Sequence, residues 1–324
     1  MNPTPLIIVN NAAAQARRAW PIIRTRLRQA KIDFDVRETT APADATCLTR
    51  AALDRGCTLV GVVGGDGTLS EAASGYFEAQ TEVSNNVPAP INRDAALAIF
   101  PSGTGDDFAR TLVGKRAPLN HWIESFIRYR HDPQAAKTRV VDVIRVRTDG
   151  YQRQLICINA STLGLGGETA ARVAAQGKSL RRFSGEARFV AAAMGALAAW
   201  RERPVMVKID GNRVIEGPMN LVGVANACYA GGGMMLSPTA ELDDAALDVI
   251  TVSGLSRAGI LRELTRIHKG GHVANPGVRI EKGGSVSVET LNAQDALLIE
   301  VDGNVSGRTP ADYHIMPQSL RIVV

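Results

Sequence analysis

Cysteine is scarce in these 324 residues: Cys47, Cys57, Cys157 and Cys228 lie far apart, with no C-x-x-C pair and no His/Cys ligand cluster around them. That excludes a disulfide framework and a zinc site, and it points to a reduced, cytoplasmic setting. Long apolar runs are also missing. The longest, Phe189 to Trp200, is too short to span a bilayer. The opening Met-Asn-Pro-Thr-Pro has no basic, apolar and cleavage-site regions of a secretory signal. Internal repeats and low-complexity tracts do not occur. What remains is 45% apolar and 21% charged, the balance of an ordinary globular protein, and long enough for two domains. Net charge is +5. A mildly basic surface suits anionic lipid or nucleotide, although a solvated arginine-rich surface explains the composition equally.

The chain is organised around residues 60–77, V-G-V-V-G-G-D-G-T-L-S-E-A-A-S-G-Y-F. Leu59 to Val63 reads as a buried strand, and Gly64, Gly65 and Gly67 then interrupt it around Asp66. Leu69, Ala72, Ala73, Tyr76 and Phe77 follow at helical spacing. Thr68 and Glu71 have capping-box spacing, which predicts a helix starting at Thr68. A strand, a glycine loop and a helix N-terminus together suit phosphate, because backbone N–H groups can close on an anion. The loop is neither a Walker A sequence nor G-x-G-x-x-G, and Asp-Gly is also a common turn. Local residues alone leave both readings open.

The first half alternates strands and helices. Strands are expected at 6–9, 34–37, 59–63 and 95–100, and helices at 12–30 (with a break at Pro21) and 44–55, the second closed by Gly56. That is the pattern of a parallel α/β sheet. Residues 81–94, with two prolines, read as a loop. After the strand ending at Phe100 comes P-S-G-T-G-D-D-F-A-R, a second glycine loop, in which Asp106 or Asp107 is placed to cap the next helix. From about residue 138 the grammar changes to alternating runs joined by Asp-Gly turns, predicting a mostly antiparallel β-sandwich. Two helices interrupt it, at roughly 184–201 and 256–268, and Leu320 to Val324 is placed to rejoin the first sheet.

The ordered set G-G-D-G-T-L-S-E (64–71), G-T-G-D-D-F-A-R (103–110), C-I-N-A-S-T-L-G-L-G (157–166), V-A-N-A-C-Y-A-G-G-G-M (224–234), S-P-T-A-E-L-D-D-A-A-L-D-V (237–249), R-I-H-K-G-G-H-V (266–273) and V-D-G-N (301–304) resembles the diacylglycerol kinase catalytic domain family. These are bacterial lipid kinases related to sphingosine and ceramide kinases. The resemblance implies a phosphofructokinase-like α/β domain over residues 1–137, completed by 310–324, and a β-rich lipid and metal domain over 138–309. It implies an ATP-dependent kinase acting on a lipid alcohol, diacylglycerol by default. ATP contacts would be Asn10, Thr39, Gly65, Asp66, Gly67, Thr68, Glu71, Gly103 and Thr104. A structural Mg²⁺ would be held by the Asp244 side chain and the carbonyls of Glu241 and Ala246, where Ala245 replaces the family's glycine. Asp302 is the implied proton acceptor.

Two further positions depart from the family. Asn304 stands where its second acid would be, and an amide cannot accept a proton. Asp106 stands where the family has Asn, adding a negative charge near the phosphates unless Mg²⁺ or an arginine offsets it. Residues 209–212, I-D-G-N, use the same tripeptide as a plain hairpin turn. Two alternatives therefore stand beside the kinase: a nucleotide- and lipid-binding relative with little transfer, or a kinase for a soluble acceptor such as NAD. The implied partners are the lipid alcohol and an anionic membrane surface, with no nucleic acid and with a homodimer left open. The alanine-rich helix within 179–203 is expected to pack on its own sheet, while its arginine-flanked start, Lys178 to Arg188, meets lipid headgroups.

Overall fold

The computed structural model describes residues 3–79, 87–176 and 185–324. The chain forms two compact units, Met1–Val143 with Met316–Val324 and Ile144–Ile315.

The first unit opens with β1 (Leu6–Val9), α1 (Ala14–Gln29), β2 (Asp35–Glu38), α2 (Asp44–Asp54), β3 (Leu59–Gly64) and α3 (Asp66–Ser74). It continues through β4 (Ala96–Pro101), α4 (Asp107–Val113) and α5 (Leu119–His131). The strands pair in the order β2-β1-β3-β4, all parallel, and residues 321–323 run parallel to 96–98 on the far side of β4. β1 and β3 are apolar and buried along their whole length, as a sheet covered on both faces requires. α1 contributes Ala16, Ala19, Ile23 and Leu27 to the core, and its neighbour α5 contributes Trp122, Ile123 and Phe126. α2 and α3 pack together and add Leu53, Leu69, Ala72 and Ala73.

Two sequence expectations need correcting here. Pro21 does not break α1. The carbonyl its ring deprives of a partner is that of Arg17, and both residues are exposed, so water can serve it. The helix after the glycine loop begins at Asp66 rather than Thr68 and ends before Gly75, so Tyr76 and Phe77 are buried by the chain beyond it. Thr68 is buried, and its hydroxyl takes a hydrogen bond from Asn10 Nδ2 at 2.8 Å instead of capping its own helix.

β5 (Thr138–Thr148) leads into the second unit, followed by β6 (Arg153–Cys157), β7 (Ala160–Gly164), α6 (Leu165–Ala174) and α7 (Gly185–Ala199). Next come β8 (Arg203–Ile209), β9 (Arg213–Met219), β10 (Leu221–Ala225), β11 (Tyr229–Ala230), β12 (Met234–Met235), β13 (Leu247–Val252) and α8 (Arg257–Arg266). The unit closes with β14 (Val278–Gly283), β15 (Ser285–Thr290), β16 (Leu298–Val301), β17 (Asn304–Arg308) and β18 (Ala311–Val323). One antiparallel sheet runs β14-β13-β10-β7-β16-β17, and a second layer holds β18, β15, β8 and β9 with the β5–β6 hairpin. Their inward side chains share one core, with Val146, Val207, Val288 and Tyr313 from one layer and Leu163, Val224, Val249 and Ile299 from the other. The Asp-Gly turns behave as read. Asp210-Gly211 and Asp302-Gly303 each place two consecutive residues at positive φ, the geometry that matches the twist of a tight hairpin.

Candidate functional site

In a parallel sheet, ligands collect where the strands end. Here the carboxyl ends of β2, β1, β3 and β4 lie side by side and deliver Thr39, Asn10, Gly65 and Gly103 to one edge. The two glycine loops touch: a Cβ built on Gly103 would stand 2.7 Å from Gly65 Cα. Asp66 reaches across and accepts the Phe108 backbone N–H at 3.2 Å, so the first loop caps the helix that follows the second. Asp106 stands at the N-cap position of α4 without capping it through its own side chain, and Asp107 is already the first residue of the helix. Asp106 sits at a left-handed φ of 51° and turns back to accept Gly103 N–H at 2.8 Å.

The first-turn amides of α3, at Asp66, Gly67 and Thr68, have no helical acceptor and lie at the positive end of the helix dipole. Gly67 is exposed with nothing within 4 Å of where a Cβ would be, and Thr104 is exposed in the second loop. Glu71 is half-buried on the same helix, with its backbone carbonyl bonded to Thr46 Oγ1. Burial raises the Asp106 carboxyl; the Gly103 N–H and the 3.3 Å ion pair with Arg116 counter that, while Asp66 adds to it. Arg116 thus supplies the arginine that this extra negative charge calls for. A cavity of about 440 Å³ beside this loop is lined by Gln15, Asp106, Arg110, Arg116 and Trp122. A larger one, about 690 Å³, lies at the amino ends of the strands beside Leu6, Asp35 and Cys57, away from the glycine loops.

In the second unit, Asp302 occupies the β16–β17 turn and is 9% exposed. Its carboxylate accepts the backbone N–H groups of Ile158 and Asn159 at 3.0 Å and Ala160 at 3.3 Å, with the Cys157 thiol at 3.2 Å. Burial pushes that thiol well up, and the neighbouring carboxylate reinforces the effect. The Asn304 side-chain amide donates to the Asp302 carbonyl at 3.4 Å.

The carboxyl that the motifs did not reveal is Glu300. It accepts Thr162 Oγ1 at 2.6 Å and Thr162 N–H at 3.2 Å, and also the N–H of Gly303 inside the turn. Burial pushes Glu300 up to about 7; the Thr162 and Gly303 bonds oppose this, and Asp302 adds to it. Between pH 4.5 and 7 the unfolded chain therefore loses a proton that the folded chain keeps, and stability falls as pH rises through that window. Glu300→Gln is expected to flatten the fall, by on the order of 2 kcal/mol. Urea unfolding at pH 5 and pH 8 measures it, and parallel behaviour of variant and wild type would refute the assignment.

The other motifs divide between scaffold and surface. In the K-G-G-H segment, His272 is buried with Nε2 3.1 Å from the Leu236 carbonyl, and His268 Nδ1 lies 3.2 Å from that of Gly233. Both rings tether the loop in which Gly231, Gly232 and Gly233 all have positive φ. Asp244 bonds Ala246 N–H at 3.1 Å and pairs with Lys282, while Glu241 is exposed. Among the described residues no three His, Cys, Asp or Glu side chains are grouped to hold a metal. α7 packs on α6, which itself lies against β7 and β16. Val190 and Met194 on α7 are exposed. Of the segment expected to meet headgroups, Lys178 to Arg188, residues 178–184 lie outside the described residues. No helix among the described residues is long and apolar enough to cross a membrane.

Residues 4–143 match the model of the diacylglycerol kinase catalytic domain, and residues 164–324 match that of the YegS C-terminal NAD kinase beta sandwich-like domain. A diacylglycerol kinase of Mycobacterium tuberculosis is 26% identical over 285 residues, covering 86% of this chain and 81% of that protein. A Chromohalobacter salexigens protein named "Probable lipid kinase YegS-like" is 29% identical over 266 residues, 81% of this chain and 74% of its own. A crystal structure from Bacillus anthracis, described as a diacylglycerol kinase, has the same fold at a TM-score of 0.67 and 21% identity, covering 99% of this chain and 96% of that one.

Proposed function

The chain belongs to the family of the diacylglycerol kinase catalytic domain with its YegS-type C-terminal domain, and from that premise we propose that it is an ATP-dependent lipid kinase. The acceptor is a lipid hydroxyl, diacylglycerol-like, and the donor is the γ-phosphate of ATP, which enters with its own Mg²⁺ as substrate. The observation that carries this reading is the contact of two glycine loops at one edge of a parallel sheet, beside the free N-terminal turn of α3. Backbone there can approach a triphosphate closely, and N–H groups oppose its charge without reorganising. Asn10 and Thr39 border the same edge, and Thr104 and Glu71 complete the proposed set.

In the transfer step the lipid hydroxyl oxygen bonds to the γ-phosphorus as the bond to the β-phosphate oxygen breaks and ADP leaves. The hydroxyl proton goes to Asp302. The amides of residues 158–160 hold that carboxylate in one orientation before substrate arrives. With Asn304 unable to take a proton, Glu300 is the second carboxyl belonging to this turn. The lipid acceptor implies peripheral docking on an anionic membrane from the cytoplasmic side, and a homodimer is compatible with this chemistry.

Incubation with γ-labelled ATP, a mixed lipid extract and NAD tests the assignment. Label in the organic phase is the expected result. Label only in a soluble acceptor would replace the lipid kinase with an NAD-type kinase, and nucleotide binding with no transfer would favour a non-catalytic relative.

A further inference from the structure

The segment expected to hold a structural Mg²⁺ already contains a cation of the chain's own. Asp248 on β13 stands directly across from Lys282 on β14 in the antiparallel ladder, so both side chains project from the same face. Lys282 Nζ lies 3.4 Å from Asp248 Oδ1 and also pairs with Asp244 Oδ2. The remaining carboxylate oxygens are engaged. Asp248 Oδ2 accepts Ser237 Oγ at 2.5 Å and Thr239 Oγ1 at 2.6 Å, and Asp244 Oδ1 accepts Ala246 N–H at 3.1 Å. The Asp248 side chain is 1% exposed. A carboxylate so buried demands a positive partner.

Mg²⁺ takes near-octahedral oxygen ligands and gives up its waters reluctantly. The Lys282 ammonium stands against the carboxylate oxygen that such an ion would need, and it would repel the ion. The residues present therefore do not fit a divalent cation. We propose that the Lys282 ammonium is a permanent replacement for the structural metal, bridging Asp244 and Asp248 and making the second unit independent of divalent cations. The replacement is independent of which substrate the protein phosphorylates.

Thermal unfolding of the full chain without nucleotide tests the proposal. The wild-type midpoint is expected to be the same in EDTA and in millimolar Mg²⁺. Lys282→Met strands a buried carboxylate and is expected to lower the midpoint by roughly 5–10 °C. Added Mg²⁺ should restore part of that loss, because the vacated space lies between two carboxylates. Lys282→Arg, which keeps the charge, is expected to stay within about 3 °C of wild type and covers the case in which the methionine variant fails to fold. A wild-type midpoint that falls in EDTA, recovers with Mg²⁺ and loses that response in Asp244→Asn would overturn the proposal. So would a methionine variant as stable as wild type.

Discussion

Asp302→Asn is expected to lower phosphoryl transfer by about 10²–10⁴-fold, the range associated with removing a general base. The local structure makes a second, smaller effect unavoidable. An asparagine oxygen can still accept the N–H groups of Asn159 and Ala160, but its NH₂ then faces the Ile158 N–H that now bonds Oδ2. One buried donor loses its acceptor, at about 1–3 kcal/mol. The two effects separate experimentally. Turnover per folded molecule at low temperature reports the proton transfer, and urea unfolding reports the lost acceptor. If activity falls only as the folded fraction falls, Asp302 is a hairpin anchor and not the base.

The second large effect concerns the contact between the glycine loops. Gly103→Ala would put a Cβ 2.7 Å from Gly65 Cα and 2.9 Å from Asp106 Oδ1. Backbone cannot yield as a side-chain tip can, so the loops must separate, at about 1–3 kcal/mol of stability, and ATP binding should be lost with the shared edge. Gly67→Ala is the informative partner. Its Cβ meets nothing within 4 Å, and alanine suits a helix better than glycine, so the fold should be unchanged or slightly firmer. Nucleotide affinity is nevertheless expected to fall about tenfold, the methyl group standing where the phosphate approaches. Calorimetric titration with ATP decides it. Wild-type affinity in Gly67→Ala would mean that phosphate does not sit at this helix end.

Most of the first unit is legible without coordinates because its strands are short apolar runs and its breaks are glycines. α5 and α6 are harder to read. α5 mixes Arg128, Arg130 and His131 with its buried Trp122 and Phe126, and α6 begins in a glycine-rich stretch, L-G-G-E, that resembles a turn. β7, A-S-T-L-G, is almost as quiet in sequence because its small residues lie between two partner strands. The Thr68 cap failed for a related reason. The hydroxyl has a better partner in Asn10, 58 positions away, which no local window contains.

Residue order alone determined the family, the change from parallel α/β to antiparallel β, and the identity of the glycine-loop residues. Each of these is written in local periodicity and in contiguous motifs. Tertiary structure alone decided that Asp66 serves the helix of the other loop and that Arg116 answers Asp106. It also decided that Glu300 bonds Thr162 on the neighbouring strand and that Lys282 pairs with Asp244. The physical reason is common to all four. A charge is settled by whichever partner lies nearest in space, and folding brings these partners in from other strands and loops.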